Sequence, residues 1–460
     1  VYAGGDFTLN ASLAALSMIY TTYFLTQVAD LRPALAGLVL LIGRFVDAFA
    51  DPLMGRISDR TSWRAGRRRP YFLIGAIPYG VTFALLWIDP PFSGGARFAY
   101  YTTIYLLHAL AMTVLTVPYM AILPEMALDY DARTSLNTFR SFGATLGVVA
   151  AAVGIRPLAH AFGGGPPGFA AAGAVFGVLL ALPWLAVHRV TFERRDFRAR
   201  SSELGFREGL RVVGRHRAFR QLTFIYIMGR IAMDLAGALL ILYMTFWIGR
   251  SGQFEPLMAV FLAAVITALP FWLRIARNRD KLHIFVMGSL WWAATSVGMV
   301  LVRPGWPAWV LFAWVPLVGL GYAVVDLMPW SMLGEVIDED DLATGERREG
   351  LYNGVFTFLR KLGGALGVFL AMTVLEGLGF RQGSAQQTEG ARQAIRWMTA
   401  LGPPVLLVVG VWLTRGYPLT RQRHREILDE LLRRDSAGRA AAPAARAPSA
   451  TESAGTVSWP

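Results

Sequence analysis

Apolar residues in this 460-residue chain are gathered into runs of about 20, each closed by a short gap rich in arginine. That pattern leaves few folds open. Twenty residues of helix, at 1.5 Å per residue, match the hydrocarbon thickness of a bilayer, and inside lipid a helix satisfies its own backbone groups. Such windows fall near residues 6–29, 33–57, 70–88, 98–123, 134–158, 168–188, 218–248, 256–273, 282–302, 307–333, 350–377 and 393–415. The expectation is an all-α membrane protein with twelve transmembrane helices. Composition agrees: 55% of residues are hydrophobic and 16% charged, with mean hydropathy +0.44, whereas about a quarter of a soluble domain is charged. A water-soluble enzyme is therefore excluded. There is no cysteine, so disulfides, thiolate metal sites and cysteine nucleophiles are ruled out, and the six histidines form no ligand-spaced cluster. With no nucleophile–base arrangement in view, no enzymatic activity and no cofactor are expected.

The net charge of +13 does not point to nucleic acid, because the basic residues sit in the gaps rather than along one soluble face. They are concentrated at 59–69, 189–217, 274–281 and from Arg415 onward, all on one side of a twelve-span chain. The opposite loops carry scattered residues such as Arg97, Arg250, Arg303 and Arg381. By the positive-inside rule the basic side is cytoplasmic, which places both termini inside the plasma (inner) membrane. No cleavable signal pattern precedes the first apolar run, so that run is expected to anchor the chain itself. The gap at 189–217 divides the chain into six spans plus six: a bundle at 1–188, a middle loop, a bundle at 218–415 and a tail at 416–460, disordered after about Asp435. An internal echo supports the division, since Asn10-Ala11-Ser12-Leu13-Ala14 is answered by Asp234-Leu235-Ala236-Gly237-Ala238. Two pseudo-symmetric six-helix bundles holding a solute between them near the midplane are a transporter design, expected to work as a monomer.

Ionisable residues inside the spans are the informative ones, because each costs at least about 2.5–3.5 kcal/mol at the bilayer centre. In span 2, Asp47 and Asp51 stand four apart and share a helix face. Two close carboxylates in low dielectric form a proton site or a set of hard oxygen ligands for sodium. The alternative is a salt bridge of Arg44 with one of them that only locks helices. Span 5 carries Asn137 and Arg140, and span 11 carries Arg360 and Lys361, of which Lys361 is expected to face inward. Asp326 in span 10 would pair with Lys361 or meet the solute, and Arg230 with Asp234 in span 7 reads as an intrahelical pair. Two charged stretches at span ends are gate candidates: Asp59, Arg60 and Arg67 between spans 2 and 3, and Glu335, Asp338 and Arg347 between spans 10 and 11. A solvated charge run is the alternative there.

Several of these residues lie in motifs: Gly5-Asp6-Phe7 with Asn10, Asp47-Ala48-Phe49-Ala50-Asp51-Pro52-Leu53-Met54-Gly55, Val117-Pro118-Tyr119, Arg140, Thr344-Gly345-Glu346-Arg347-Arg348-Glu349-Gly350 and Lys361. With them the chain resembles the major facilitator superfamily, and within it the glycoside-pentoside-hexuronide:cation symporters. The resemblance implies that Asp47 and Asp51 bind the coupling cation, and that Arg140 and Lys361 lie around the central cavity. It also has departures. Thr116 stands where the family has a span 4 aspartate, Met120 where a tryptophan stacks on sugar, Asn10 near a sugar-binding aspartate, and Asp326 where a cavity tryptophan is found. Thr116 offers a neutral oxygen to a cation but removes a negative charge, which tilts the expectation toward protons. Leu327-Met328-Pro329-Trp330-Ser331-Met332-Leu333 with Val336-Ile337-Asp338 is similar, more distantly, to sodium-dependent lysophosphatidylcholine symporters.

The leading expectation is a cation-coupled secondary symporter of a sugar, glycoside or related polar solute, working by alternating access. Asp47, Asp51 and Thr116 would form the cation site, with Na+ on the two aspartates only if sodium is the coupling ion. Asn10, Tyr119, Met120, Arg140, Asp326 and Lys361 would surround the solute. A lysophospholipid or other amphipath is the alternative substrate. The alternative from a different class is a membrane sensor or lipid-binding scaffold whose basic loops engage anionic headgroups.

Overall fold

The structure, a computed structural model, describes residues 1–126, 130–193, 211, 214–276, 279–346 and 348–441. Each of the twelve apolar windows is occupied by a helical rod. Helix α1 runs Gly4–Ala14 and continues with π-helical winding over Ala15–Val28; α2 is Pro33–Arg60, α3 Pro70–Leu86, α4 Gly94–Met126, α5 Tyr130–Ala161 and α6 Gly165–Val190. In the second half α7 is Arg217–Leu242 with a π-helical end at Tyr243–Trp247, α8 Phe254–Ala276, α9 Lys281–Gly298, α10 Ala308–Thr344, α11 Glu349–Gly377 and α12 Glu389–Leu413. Ten of these are long and apolar enough to cross a membrane on their own, and α3, at 17 residues, is apolar but shorter. Proline at the first positions of α2 and α3 presets the helical φ where no backbone donor is required.

Pairing of the rods repeats between the halves. In the first, α1 packs on α4, α5 and α6, α2 on α4, α3 on α4 and α6, and α5 on α6; adding six to each number reproduces the packing of the second half. Across the halves, α2 meets α11, α5 meets α8 and α1 meets α7, a set that the same operation maps onto itself. Glycines permit the closest approaches. A Cβ on Gly143 or Gly147 of α5 would run into the carbonyl oxygens of Ala3, just ahead of α1, and of Phe7 in α1, while Gly363 and Gly367 of α11 sit against Ile227 and Ile231 of α7. Close backbone packing of this kind is how helices associate in lipid, where apolar transfer supplies little drive. Gly147→Ala is expected to cost about 1–3 kcal/mol, because the obstacle is backbone rather than a side chain that can turn away. A melting temperature equal to wild type would refute that account.

The helix exterior is inverted relative to a soluble bundle. Along α2, Phe45, Phe49, Leu53 and Ile57 are exposed while Asp47 is 5% accessible, so the apolar stripe faces the surroundings and the charge faces the interior. The start of α1, the α2–α3 turn, the α10–α11 turn and the helix at Arg421–Ala441 lie at one end of the bundle, the basic face.

Several boundaries differ from expectation. Helix α10 does not stop near 333 but continues to Thr344, where Gly345 in the left-handed conformation (φ 75°) ends it. Glu335 and Asp338 are therefore on a helix and not in a connecting loop; Val336 and Ile337, both buried, extend the apolar face past the membrane segment. The tail forms a further helix, α13, over Arg421–Ala441, which packs on α10 through buried Ile427 and Leu431. Alanine and arginine favour the helix, so order runs a turn beyond Asp435; residues 442–460, like most of the middle loop, lie outside the described residues.

Candidate functional site

Inside the bundle, five carboxylates and five cations are brought together from α1, α2, α5, α7, α10 and α11. On α2, Arg44 donates to Asp47 (Nη1 to Oδ2, 3.2 Å). Lys361 of α11 reaches across from the other half, 3.0 Å from Asp51 Oδ2 and 3.9 Å from Asp47 Oδ2. Both aspartates thus share the side of the helix that Lys361 approaches. The hydroxyl that meets them is Thr113, whose Oγ1 donates to Asp51 Oδ1 at 2.7 Å. Thr116, a turn later on α4, has a buried Oγ1 with no hydrogen-bond partner. Thr113 was not marked by its sequence, since a threonine in an apolar run carries no charge to stand out.

A second cluster joins α1, α4 and α5. Arg140 makes a two-pronged contact with Asp6 (Nε to Oδ2, 2.8 Å; Nη2 to Oδ1, 3.1 Å) and also donates to Met120 Sδ and Asn137 Oδ1. The Tyr119 hydroxyl lies 2.5 Å from Asp6 Oδ2, and its ring stacks on Tyr2 at 4.6 Å between centroids. Asp6, not Asn10, is the α1 residue at this arginine; the Asn10 side chain turns back to the Asp6 carbonyl oxygen on its own helix (2.8 Å). An acid inside the first apolar run was the available signal for it.

The third cluster belongs to the second half. Arg230 pairs with Asp234 on α7, with Nε to Oδ2 at 3.0 Å. Asp326 does not pair with Lys361. It accepts from the Tyr226 hydroxyl at 3.1 Å and stands 4.0 Å from Arg230, because α10 packs on α7 there while Lys361 is turned toward α2. Trp330 Nε1 donates to the same Tyr226 hydroxyl (2.8 Å). Between the halves, Arg44, Arg230, Asp234, Arg360 and Lys361 border a chamber of about 70 Å3.

The clusters are related by the internal repeat. Tyr2, Asp6 and Asn10 of α1 correspond to Tyr226, Arg230 and Asp234 of α7, extending the Asn10/Asp234 echo by two turns. In α5 and α11, Arg140-Ser141-Phe142-Gly143 with Leu146-Gly147-Val148 answers Arg360-Lys361-Leu362-Gly363 with Leu366-Gly367-Val368. Their glycines approach corresponding residues of α1 and α7. Arg140 and Arg360 are therefore equivalent positions, with Lys361 one residue beyond.

The fold and these contacts can be set beside known proteins. The model of the MFS/sugar transport protein family matches residues 1–421. The chain belongs to that family. An uncharacterized symporter of Synechocystis is 30% identical over 94% of this chain and 95% of its own length. The glucuronide carrier protein homolog of Escherichia coli is 25% identical over 94% of each. The sodium-dependent lysophosphatidylcholine symporter 1-A of Danio rerio is 22% identical over 87% of this chain and 81% of its own. Among solved structures, a bacterial homolog of the human lysosomal transporter Spinster superposes with a TM-score of 0.66 at 14% identity, covering 93% of this chain and 97% of that one. This MFS/sugar transport protein is thus a multi-pass integral membrane transporter of symporter type, with the major facilitator fold, and not an enzyme.

The gate candidates of this family member form networks inside each half. Arg68 bridges Asp59 of α2 (2.7 Å) and the fully buried Glu125 of α4, which Arg67 also reaches at 2.6 Å. Glu193, beyond α6, accepts the backbone N–H groups of Arg67, Arg68 and Arg69. Arg60 is exposed at the end of α2. In the second half Glu335 pairs with Lys281 (2.8 Å) and Asp338 with His424 of α13 (3.1 Å). Arg348 binds Asp340 at 2.6 Å, and that hydrogen bond holds its guanidinium pKa above the ordinary value. Arg347 lies outside the described residues. At the opposite face the pairs cross between halves: Arg32 with Glu376 (2.8 Å), Arg156 with Glu255 (2.8 Å), and the Gly383 N–H with the Thr26 carbonyl oxygen (2.8 Å).

Proposed function

We propose that this transporter couples movement of a polar solute to a proton or sodium gradient, with Asp47 and Asp51 as the cation site. The observation that carries the reading is Lys361, a cation of one half resting on the carboxylates of the other. A coupling ion and the lysine ammonium are alternative counterions for the same oxygens. Binding the ion frees Lys361 toward the solute cavity, where it can meet the solute, and releasing the ion lets Lys361 return to the carboxylates, so that the empty carrier reorients without an unpaired charge. Thr113 supplies a neutral oxygen beside Asp51, with Thr116 one turn away.

The solute in this reading is a sugar, glycoside or related polar molecule held by the Asp6–Arg140 pair, with Tyr119 and Met120 beside it and Asp326 on the facing half. The glucuronide carrier named among the relatives supports that class; the lysophosphatidylcholine symporter supports an amphipath as a second reading. Two bundles, 1–188 and 218–415, would rock about the cavity as a monomer in the plasma membrane, with the basic face cytoplasmic. The cross-half pairs at the opposite face then close the outside, and the arrangement is inward-open. Asn10 would enter only if its side chain leaves the Asp6 carbonyl.

Thermal unfolding of the detergent-purified protein tests this. Sodium, or a shift from pH 8 to pH 5.5, is expected to raise the melting temperature alone, with a further rise when a cognate solute is added; at a hundred times Kd a ligand adds about 2.7 kcal/mol. A melting temperature indifferent to both ions would refute cation coupling.

A further inference from the structure

We infer that the cleft between the basic-face ends of α8 and α9 and helix α13 is a binding site for an anionic phospholipid of the adjoining leaflet. The lipid is a resident ligand and not the transported solute, so the inference is independent of what the protein carries and of the coupling ion. Three cavities adjoin there and share Arg279. The largest, about 780 Å3, lies between Arg279, Asp280 and His283 on one side and Arg421 and Arg425 of α13 on the other. A second, about 200 Å3, is bordered also by Lys281, Glu335 and His424. The third, about 390 Å3, is apolar, lined by Ile275 and Met287 with the side chains of Arg274 and Arg279.

The charge around these cavities is one-sided. Arg274, Arg279, Lys281, Arg421 and Arg425 are set against two carboxylates, Asp280 and Glu335, which leaves a net charge of +3 before either histidine is counted. Glu335 pairs with Lys281 at 2.8 Å, and Asp280 Oδ1 accepts the Arg421 backbone N–H at 2.9 Å. The nearest carboxylates outside the lining are also engaged, Asp338 with His424 and Glu426 with Arg423, each at 3.1 Å. Arg274, Arg279 and Arg425 have no hydrogen bond or ion pair among the described residues. The first half handles the equivalent turn differently, since Arg67 and Arg68 between α2 and α3 are met by Asp59, Glu125 and Glu193.

Depth selects a lipid over a soluble phosphate. Arg274 stands in the last turn of α8, and Met287 lies about 9 Å along α9 from its start at Lys281. Exposed Phe271, Leu273, Leu290 and Trp291 flank that level on the lipid-facing exterior. The basic cavity is therefore at headgroup height, and the apolar one is where acyl chains begin. A phosphodiester between Arg279 and Arg425 takes charge-assisted hydrogen bonds from two forks, while a chain of the same molecule covers Ile275 and Met287 and the arginine stems. One molecule then fills both cavities and ties α13 to α8 and α9.

The full-length protein, stripped of lipid in neutral detergent, would be titrated with phosphatidylglycerol, phosphatidylcholine and glycerol 3-phosphate, and bound ligand counted by native mass spectrometry. Phosphatidylglycerol is expected to bind about tenfold more tightly than phosphatidylcholine. Arg279→Gln with Arg425→Gln should remove that preference, and the two lysine substitutions should keep most of it. Arg56→Gln with Arg64→Gln, which takes the same charge from the first half's side of the basic face, should leave it within about twofold of wild type. Equal affinity for the two lipids overturns the inference. So does a preference that survives in Arg279→Gln with Arg425→Gln, or one that falls equally in both glutamine pairs, which would assign it to the charge of the whole face. Glycerol 3-phosphate binding as tightly as phosphatidylglycerol would assign a soluble phosphate instead and overturn the lipid.

Discussion

Asp51→Asn is expected to abolish gradient-driven accumulation in proteoliposomes, bringing the internal-to-external solute ratio to about 1, the value for a carrier with no coupling free energy. The substitution keeps the shape of the side chain and an oxygen for the Thr113 hydroxyl, which donates to Asp51 Oδ1 at 2.7 Å. It removes the charge that holds Lys361 at 3.0 Å, leaving that ammonium with Asp47 at 3.9 Å. One carboxylate satisfied by Arg44 and Lys361 has nothing left to offer a coupling ion. Solute binding in detergent, assigned above by proposal to the Asp6–Arg140 cluster, should persist. A wild-type accumulation ratio in this variant would end the assignment of Asp51 to the cation site.

The second large effect concerns Lys361→Gln. Without the ammonium, Asp47 and Asp51 have no counterion from α11, and the ion-free carrier has to reorient with an uncompensated carboxylate at mid-depth. Leaving one member of a buried pair unpaired costs about 3–5 kcal/mol, and 1.4 kcal/mol is a factor of ten in rate. Net uptake should therefore fall at least 100-fold, whereas exchange of labelled for unlabelled solute at saturating cation, which never passes through the empty carrier, should continue. Measuring both on one preparation decides the matter: loss of net flux with exchange intact supports the lysine as a stand-in for the ion. Equal loss of both would make Lys361 a solute contact, and neither changing would remove it from the cycle.

The fold was largely legible because its signal is additive: twenty apolar residues in a row specify a helix of bilayer length whatever surrounds it. The α2 carboxylates were legible for a related reason, since i,i+4 spacing is a property of one helix. What was missed requires knowing which way two helices face one another. Thr113 and Thr116 are indistinguishable in sequence, and only the rotation of α4 against α2 selects the first. Asp6 and Asn10 stand a turn apart on α1; the depth at which α5 crosses α1, set by Gly143 and Gly147, brings Asp6 to Arg140. The Arg140/Arg360 equivalence escaped because α1 and α7 differ by 224 positions while α5 and α11 differ by 220, so no single offset aligns the halves.

The contacts at the face opposite the basic one also say something about direction. Arg32 is two-thirds exposed at its side chain, and the Arg156–Glu255 pair, though buried, would be rewetted on separation, recovering the hydration it gave up. Closure of this kind is a clasp with little spring in it. A carrier whose two end states lie near the same level has no preferred way to run, and the chemical potentials on the two sides decide. If flux is coupled to a cation gradient as proposed above, collapse of that gradient would let accumulated solute run back out through the same carrier.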